Sequence, residues 1–250
     1  MEQIPGSVPK VENYVLDVID TEFLAMTDAD CTVEKDWLEK LMEGFTSEDI
    51  IATAGYCGTP KDVNRLQRLI GLELEDRFKH FPEYISRAPT MNICMRTKVA
   101  KKVKWNEKFR NAVFETDFGW GLTKLGKMKY VPEAKVYHHH RASWKNFFKQ
   151  QYNYAPYLPT LYWIHRGMVK GDHISKPTMM ILPFLLILTS LYFVSSLFYQ
   201  PLVYFGLGFL AMLLTFYFFD IIRLTFNPID MVYLFGIFAV RNVAWVLGAF

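Results

Sequence analysis

Hydrophobic and polar residues follow two different patterns along the chain, and the change lies near residue 176. Before it, apolar residues occur in short runs between charged ones, and after it almost every residue is apolar. Residues 179–199 and 202–219 carry no charge, and a helix needs roughly 20 apolar residues to cross a bilayer. A third apolar run covers residues 229–250. The pattern therefore predicts a membrane region of two to three transmembrane helices over residues 177–250.

The third apolar run differs from the first two because it contains Asp230 near its start and Arg241 in its interior. An arginine at the centre of a bilayer costs about 2.5–3.5 kcal/mol on insertion scales unless it reaches the interface or a partner. Buried core helices are the alternative explanation for these runs. It fails for the first two, since a soluble domain of this size does not need two consecutive uncharged helices of such length.

The distribution of basic residues predicts the orientation in the membrane. Five of them precede the first predicted span: Lys145, Lys149, Arg166, Lys170 and Lys176. The turn after that span has no charge, and Arg223 follows the second span. We therefore predict a multi-pass protein of the cell membrane whose region before residue 177 faces the cytoplasm and whose C-terminus lies outside.

Composition agrees with two unlike parts joined end to end. The chain is 51% hydrophobic with a mean hydropathy of +0.07, and 21% of its residues are charged. Because the net charge is only +3 and basic residues gather before the apolar region, a lipid bilayer is a better partner than nucleic acid. The three cysteines show no C-x-x-C spacing, which predicts neither a disulfide framework nor a zinc site.

The region 1–142 contains short apolar runs typical of buried strands and longer runs with helical spacing. The predicted strands cover residues 22–27, 50–54, 129–132 and 135–137, and the predicted helices cover residues 36–45 and 63–81. This alternation indicates an α/β domain. The segment 143–176 is rich in aromatic and basic residues, and that mixture predicts an amphipathic stretch lying in the bilayer interface.

An acidic motif, Asp28-Ala29-Asp30, directly follows the first predicted strand. Alternate residues at a strand end place two carboxylates toward one ligand, and carboxylate oxygens suit Mg²⁺ or Mn²⁺. Open α/β sheets bind ligands at the carboxyl ends of their strands. By itself, however, such a pair is also common in solvated turns, so its meaning depends on the motifs farther along the chain.

Six further motifs come after it in a specific order. They are Asp36-Trp37-Leu38, Asn92-Ile93-Cys94-Met95-Arg96, Trp105-Asn106-Glu107-Lys108-Phe109, Glu115-Thr116-Asp117-Phe118-Gly119-Trp120, Val136-Tyr137-His138 and Gln150-Gln151-Tyr152. In this order, and over most of its length, the chain resembles the membrane-anchored family 2 glycosyltransferases of the GT-A fold. The resemblance implies a mostly parallel sheet flanked by helices, here incomplete, followed by transmembrane helices.

The resemblance also implies a function and a set of site residues. A sugar would move from a nucleotide-sugar donor to a membrane-associated acceptor, a polyprenyl phosphate or a glycan, in a metal-dependent, inverting reaction. The implied catalytic base is Glu115, with Asp117 second. The implied substrate contacts are Asp28, Asn92, Trp120 and Gln150, and the implied ligands of Mg²⁺ or Mn²⁺ are Asp28, Asp30 and His138.

The chain departs from the family pattern at several positions. Glu115 stands where the family has its catalytic aspartate, and Gly121 stands where an arginine is usual. Asn153 and Tyr154 replace an arginine and a tryptophan, which argues against a long-polymer synthase. The acids around residue 115 are also explained as caps of a helix that begins near Thr116.

Nothing before Asp28 resembles the nucleoside-binding half of the family; residues 1–20 match only the helix that leads into the metal strand. Three explanations stay open at this point. The chain is a fragment, a second chain supplies the missing half, or the protein is a non-catalytic or degenerate membrane subunit that binds a partner chain. A two-metal phosphoryl-transfer enzyme would also use Asp-x-Asp, but it leaves His138 and the motif around Glu115 unexplained.

Overall fold

A computed structural model describes residues 6–110 and 112–249, so the predicted boundaries at residues 1 and 250 lie outside the described residues. The strands are β1 (Phe23–Met26), β2 (Cys31–Val33), β3 (Ile50–Gly58), β4 (Tyr84–Ile85), β5 (Ile93–Arg96) and β6 (Lys127–His138). The first helices are α1 (Val8–Val18), α2 (Trp37–Glu43), α3 (Arg65–Phe78), α4 (Thr97–Val103) and α5 (Phe114–Leu122). The later ones are α6 (Trp144–Tyr154), α7 (Leu158–Ile164), α8 (Pro177–Ser195), α9 (Leu202–Leu224) and α10 (Pro228–Gly248). Short 3-10 turns cover Thr90–Asn92, Ala155–Tyr157 and Arg166–Lys170.

The six strands form one mixed sheet in the order β1-β5-β3-β6-β2, with β4 also paired to β6. Only the β3–β6 pairing is parallel among the described strands, and the other four pairings are antiparallel. The expectation of a mostly parallel sheet is therefore wrong. The reason lies in the connection from β3 to β5, which returns to the end of the sheet it left, so that Ile93 pairs opposite Ala54. A parallel pairing would need a crossover to the opposite end.

The sheet is curled, and the acidic motif shows why. β1 and β2 lie at opposite edges of the strand order, yet only residues 27–30 connect them. Across a flat sheet, four strand spacings would separate them by about 19 Å. Five fully extended residue steps reach only about 17 Å, and this connection is folded, since Cys31 N donates to Asp28 O at 3.1 Å. The curl therefore brings the two edges together at Asp28-Ala29-Asp30.

The predicted elements before residue 142 occur close to their expected positions, with one merger. The two short strands predicted around residues 129–137 form the single strand β6, and the register against β3 shifts between Gly55 and Tyr56. The residues of β6 skipped by that shift are 132–134, which include Pro132, a residue that cannot donate to the ladder. Pro132 thus marks a bulge within β6 and not the end of a strand.

Two main hydrophobic clusters divide the molecule. The first packs α1, α4 and α5 against one face of the sheet, around Leu16, Met95 and Phe118. The second joins α3 and α6 to the C-terminal helices, around Leu69, Phe147 and Phe238. The catalytic region predicted from the sequence and the apolar C-terminal region therefore share a core, and α3 and α6 form the boundary between them.

Three helices in the described residues are long and apolar enough to cross a membrane by length and composition, namely α8, α9 and α10. Pro201 ends the turn between α8 and α9 as the N-cap residue of α9, and Asn227 caps α10 by accepting from Ile229 N and Asp230 N. Tyr199-Gln200-Pro201 lies between α8 and α9, and Asn227-Pro228 lies at the start of α10. The chain is accordingly a mixed α/β protein with an apolar helical region at its C-terminus.

Candidate active site

The turn after β1 and the first turn of α5 face one another across a cavity of about 700 Å³. Asp28, Asp30 and Glu115 all line it. The two aspartates are far from Glu115 along the chain, and they meet it because α5 packs on the face of the sheet where the curled edge strands converge. The structure thus brings together the two acidic motifs that the sequence singled out.

Glu115 lies in the first turn of α5 and accepts a hydrogen bond from Thr90 Oγ1 at 3.0 Å. Burial raises the pKa of its carboxyl group to about 7, and the charge of Asp28 raises it further. The Thr90 hydrogen bond and the charge of Arg87 act in the opposite direction. A carboxylate with a pKa near neutrality is suited to act as a general base.

Val113, immediately before α5, has a backbone φ of 56°. This left-handed conformation is costly for a β-branched residue, and such strain is concentrated at functional sites. Val113 also lines the cavity. The strained residue sets the direction in which α5 begins, and hence the direction of Glu115.

Glu12 of α1 is a further acidic residue facing the same cavity, and no motif in the sequence pointed to it. Its Oε2 is buried and has no hydrogen-bond partner among the described residues. Burial raises the pKa of Glu12 to about 8, with further contributions from the charges of Glu115 and Asp28. The cavity therefore brings several carboxyl groups close together, and their proximity disfavours the ionisation of Glu12.

Asp30, Cys31 and His138 form a group that fits a divalent metal ion. One ligand atom from each lies within 4.8 Å of the other two, and His138 Nε2 is 3.4 Å from Asp30 Oδ1. The pairing of β2 with β6 places Cys31 directly opposite His138, which explains the proximity of the two side chains. Burial lowers the pKa of His138, and the neutral imidazole is the form that binds metal.

Asp28 lies beside this group and lines the cavity. Burial and the charge of Asp30 raise its pKa, while the charge of His138 lowers it. A cation held by Asp30 would relieve the repulsion between the two carboxylates. Cys31 is the member of this group that sequence reasoning missed; its one signal was its position directly after Asp30. Burial raises the pKa of its thiol to about 11, so Asp30 and His138 are the members that suit Mg²⁺ or Mn²⁺.

Asp117 points elsewhere. Its Oδ1 is 2.7 Å from His165 Nε2, and both side chains are largely buried. The His165 ring in turn packs near Trp120, with ring centroids 5.7 Å apart. Neither Asp117 nor Trp120 lines the main cavity. Two acids two residues apart in α5 thus have different surroundings, and Glu115 alone of the pair faces the cavity.

Asn92 is buried in a hydrogen-bond network of the sheet. Its Nδ2 donates to Tyr56 O and Ala134 O at 2.9 Å each, and its Oδ1 accepts from Trp37 Nε1 at 2.8 Å. Both amide hydrogens are used within the protein, and Asn92 does not line the main cavity. The structure therefore places it where it fastens the bulge of β6 to β3 and α2.

Gln150 lies in a second, smaller depression beside the main cavity. That depression, of about 300 Å³, shares Arg141 and Tyr154 with the main cavity and also contains Lys149. Arg141 is exposed and forms no ion pair within the described parts of the chain. The main cavity is therefore lined by acidic residues and the smaller depression by basic residues, and Arg141 lines both.

Arg87 fixes one wall of the cavity. It pairs with both carboxylate oxygens of Asp172, at 2.7 and 3.0 Å, and donates to Thr116 Oγ1 at 3.0 Å and to Ser175 Oγ at 2.7 Å. No local pattern could reveal this role, because the partners are 29 to 88 residues away. The lining of the cavity also includes four apolar residues, Leu161, Met168, Met179 and Trp245.

A scan of protein-family models finds no match to the chain, and a search of curated proteins finds none either. The resemblance to family 2 glycosyltransferases therefore rests on the order of the motifs in the sequence, and the reaction that it implies is a proposal.

Proposed function

We propose that the chain is a GT-A-like glycosyltransferase that moves a sugar from a nucleotide-sugar donor to a membrane-associated acceptor. The observation that carries the proposal is the convergence of Asp28, Asp30 and Glu115 on a single cavity. Metal ligands and a carboxylate with a near-neutral pKa are the two sets of groups that such a transfer needs. The order of the motifs along the chain is the reason for proposing glycosyl transfer as the reaction.

The donor side of the site is formed by Asp30 and His138, with Asp28 beside them. These residues would hold Mg²⁺ or Mn²⁺, which would supply positive charge to the departing diphosphate of the donor. Asp28 orients the ribose or the diphosphate. Arg141, at the rim of the cavity, offers a second positive charge to a phosphate oxygen.

Glu115 takes the proton of the acceptor. In the transfer step, the acceptor oxygen forms a bond to C1 of the sugar while the bond from C1 to the diphosphate oxygen breaks, and its electron pair stays on the diphosphate. The proton released by the acceptor passes to Glu115. This displacement from the opposite face inverts the configuration at C1.

The apolar residues that line the cavity favour one class of acceptor. Met179 belongs to α8 and Trp245 to α10, so the cavity that holds the acids is continued by side chains of the apolar helices. A lipid phosphate presents a charged group and an apolar chain in one molecule, and it matches a cavity lined by both charged and apolar side chains.

The test is a transfer assay on membranes that contain the full chain, with a radiolabelled nucleotide-sugar and Mn²⁺. We expect Glu115→Gln to lower the rate about 100-fold or more, as for loss of a general base, and Asp30→Asn to abolish the response to Mn²⁺. The matched controls are the exposed positions Glu39→Gln and Asp62→Asn, which should keep the parental rate. A Glu115→Gln protein with parental turnover would refute the assignment of the base.

Asp117→Asn gives the sharpest comparison, because Asp117 lies in the same helix as Glu115 but hydrogen-bonds His165. We expect this variant to keep most of its transfer rate and to lose stability. Equal losses of rate in Glu115→Gln and Asp117→Asn would contradict the assignment of Glu115, and not Asp117, as the base.

One observation favours a second candidate, a subunit that binds a partner chain. Among the described strands, β1 has a neighbour on one side only, β5, and an open strand edge is a template for pairing with another chain. Gel filtration of the purified protein in lipid nanodiscs, with and without Met26→Pro on that edge, tests it; a partner-dependent shift lost in the variant supports strand pairing.

A further inference from the structure

The helix α10 is apolar enough to span a membrane, but its polar side chains bind to the catalytic region. Arg241, in the interior of α10, donates from Nη1 to both carboxylate oxygens of Glu73 in α3, at 2.8 and 2.9 Å. At the start of α10, Asp230 accepts from Arg68 Nη2 of α3 at 3.0 Å. The charged residues that make α10 an unusual span are thus neutralised by α3, a helix that comes after β3 of the sheet.

A second helix of the catalytic region, α6, accompanies α10 along most of its length. The Trp144 ring lies beside Tyr233, with centroids 5.9 Å apart, and Trp245 Nε1 donates to Gln151 Oε1 at 3.0 Å. Farther on, Gly248 lies against Tyr152 O, where a Cβ would come within 2.5 Å. The two helices therefore run side by side in the same direction.

The outer surface of α6 is polar. Lys145, Lys149 and Asn153 are exposed along it, beside the part of α10 that α6 contacts, from Tyr233 to Gly248. If α10 crossed the bilayer, these side chains would lie in the hydrocarbon or beyond it. The cavity would also lie within or across the bilayer, because Trp245, close to the end of α10, lines the same cavity as Asp28 and Glu115.

The remaining face of α10 carries an apolar stripe. Val232, Phe235, Val243 and Leu247 are 70%, 44%, 40% and 56% exposed, and their spacing places them on one side of the helix. Next to this stripe, Leu234, Ile237 and Phe238 of α10 pack in one cluster with Leu182 and Leu185 of α8 and Leu213, Tyr217 and Ile221 of α9. The stripe is therefore continuous with the apolar surface of the α8–α9 hairpin.

We propose that α10 lies in the membrane surface between the catalytic region and the α8–α9 hairpin and does not cross the bilayer. Its apolar stripe contacts lipid at the level of the headgroup and acyl-chain boundary, as an interfacial helix does. Of the three apolar helices, α8 and α9 cross and α10 does not, so the end of α10 lies on the same side as the catalytic region, opposite to the side expected from the sequence. This placement of α10 does not depend on the reaction proposed above.

Depth measurements along the stripe test the proposal directly. Single spin labels are placed at Val232→Cys, Phe235→Cys, Val243→Cys and Leu247→Cys in a chain that carries Cys31→Ser, since Cys57 and Cys94 are buried. The positions 232 and 247 are separated by about 22 Å along a helix axis. In proteoliposomes we expect all four labels to report one shallow depth. Depths that change steadily from 232 to 247 by most of that distance would overturn the proposal.

Labelling from the two sides of the membrane gives an independent test. Three cysteines are compared in sealed vesicles with a membrane-impermeant maleimide: Asp62→Cys in the catalytic region, Gln200→Cys in the hairpin turn, and a cysteine added after residue 250. We expect the added cysteine to react from the same side as Asp62→Cys and from the side opposite to Gln200→Cys. Reaction together with Gln200→Cys would show that α10 crosses. If the added thiol is shielded from the maleimide, a protease cleavage site at the same position gives the same comparison.

Discussion

Thr90 Oγ1 donates a hydrogen bond to Glu115 Oε1 at 3.0 Å and joins the 3-10 turn before β5 to the first turn of α5. This contact stabilises the ionised carboxylate, while burial stabilises the neutral form and raises the pKa to about 7. The contact thereby sets the pH range in which Glu115 can accept a proton.

The first prediction concerns this pH range. Below a pH of about 7, Glu115 is protonated and cannot act as a base, so kcat/KM should rise with pH and level off above that value. Thr90→Val removes the hydrogen bond and should move the profile upward by about one pH unit, because a hydrogen bond to a charged group contributes about 1.5 kcal/mol at the lower end of its range. Rate profiles of parent and variant check it. An unchanged midpoint in Thr90→Val would contradict it, and Thr46→Val, far from this contact, is the control.

The second prediction concerns metal binding. His138→Ala removes one atom of the Asp30, Cys31 and His138 group, and we expect Mn²⁺ affinity to fall by roughly 10–100-fold or more, since even residues that only orient a ligand contribute that much. His139→Ala is the matched control, because His139 is adjacent and exposed. Titration of Mn²⁺ followed by electron paramagnetic resonance measures both affinities. Equal affinities in the two variants would place the metal elsewhere.

The third prediction concerns Glu12 and stability. Because the pKa of Glu12 is raised to about 8 in the folded protein, the carboxyl group favours folding while it is neutral, and this contribution is lost as pH rises from its unfolded value toward the folded one. Glu12→Gln cannot ionise, so it should raise the melting temperature relative to the parent at a pH of about 8.5 and change it little at a pH of about 5.

Tryptophan fluorescence during heating in detergent measures the melting temperatures. Glu39→Gln, at an exposed position of α2, should show no pH-dependent gain. A gain for Glu12→Gln that is the same at both pH values would mean that ionisation of Glu12 is not its cause.

The fourth prediction concerns the Glu73–Arg241 pair. The side chains are 13% and 9% exposed, and Arg77 also pairs with Glu73 at 2.5 Å. The two arginines hold the pKa of Glu73 at about 2, against the effect of burial. Arg241→Met should lower the free energy of unfolding by about 3 kcal/mol, the lower end of the range for a broken buried pair, because Arg77 remains.

A double-mutant cycle with Glu73→Gln separates the pair from its parts. The double variant should be less destabilised than the sum of the two single variants, because it leaves no unpaired buried charge. Additive losses would show that the two residues act independently. Arg110→Met, at an exposed position, is the control for loss of an arginine.

The local elements of this protein could be predicted from the sequence because each has its own periodic signal. The helix at Arg65–Phe78 has an amphipathic repeat, and the strand at Phe23–Met26 is a short apolar run bounded by acids. The direction of strand pairing has no such local signal. It depends on whether the chain between β3 and β5 crosses the sheet or returns, and that is decided by how α3 packs.

The candidate site was predictable only where its residues belong to a motif. Asp28, Asp30, Glu115 and His138 could be selected by their order along the chain. Glu12, Thr90 and Arg87 could not, because each acts on a residue far away in the sequence through a side-chain contact or a charge. Asn92 shows the reverse case: the motif singled it out, but its amide hydrogens are bound to Tyr56 O and Ala134 O.

The contacts of Arg87 link the acidic helix to the membrane. Through Asp172 and Ser175, Arg87 holds the chain just before α8, and through Thr116 it holds the residue next to Glu115. Membrane helices tilt to match the hydrophobic thickness of the lipid around them. We expect a tilt of α8 to displace Asp172, and with it the carboxylate of Glu115. Under the proposed function, the transfer rate should then depend on the chain length of the surrounding lipid.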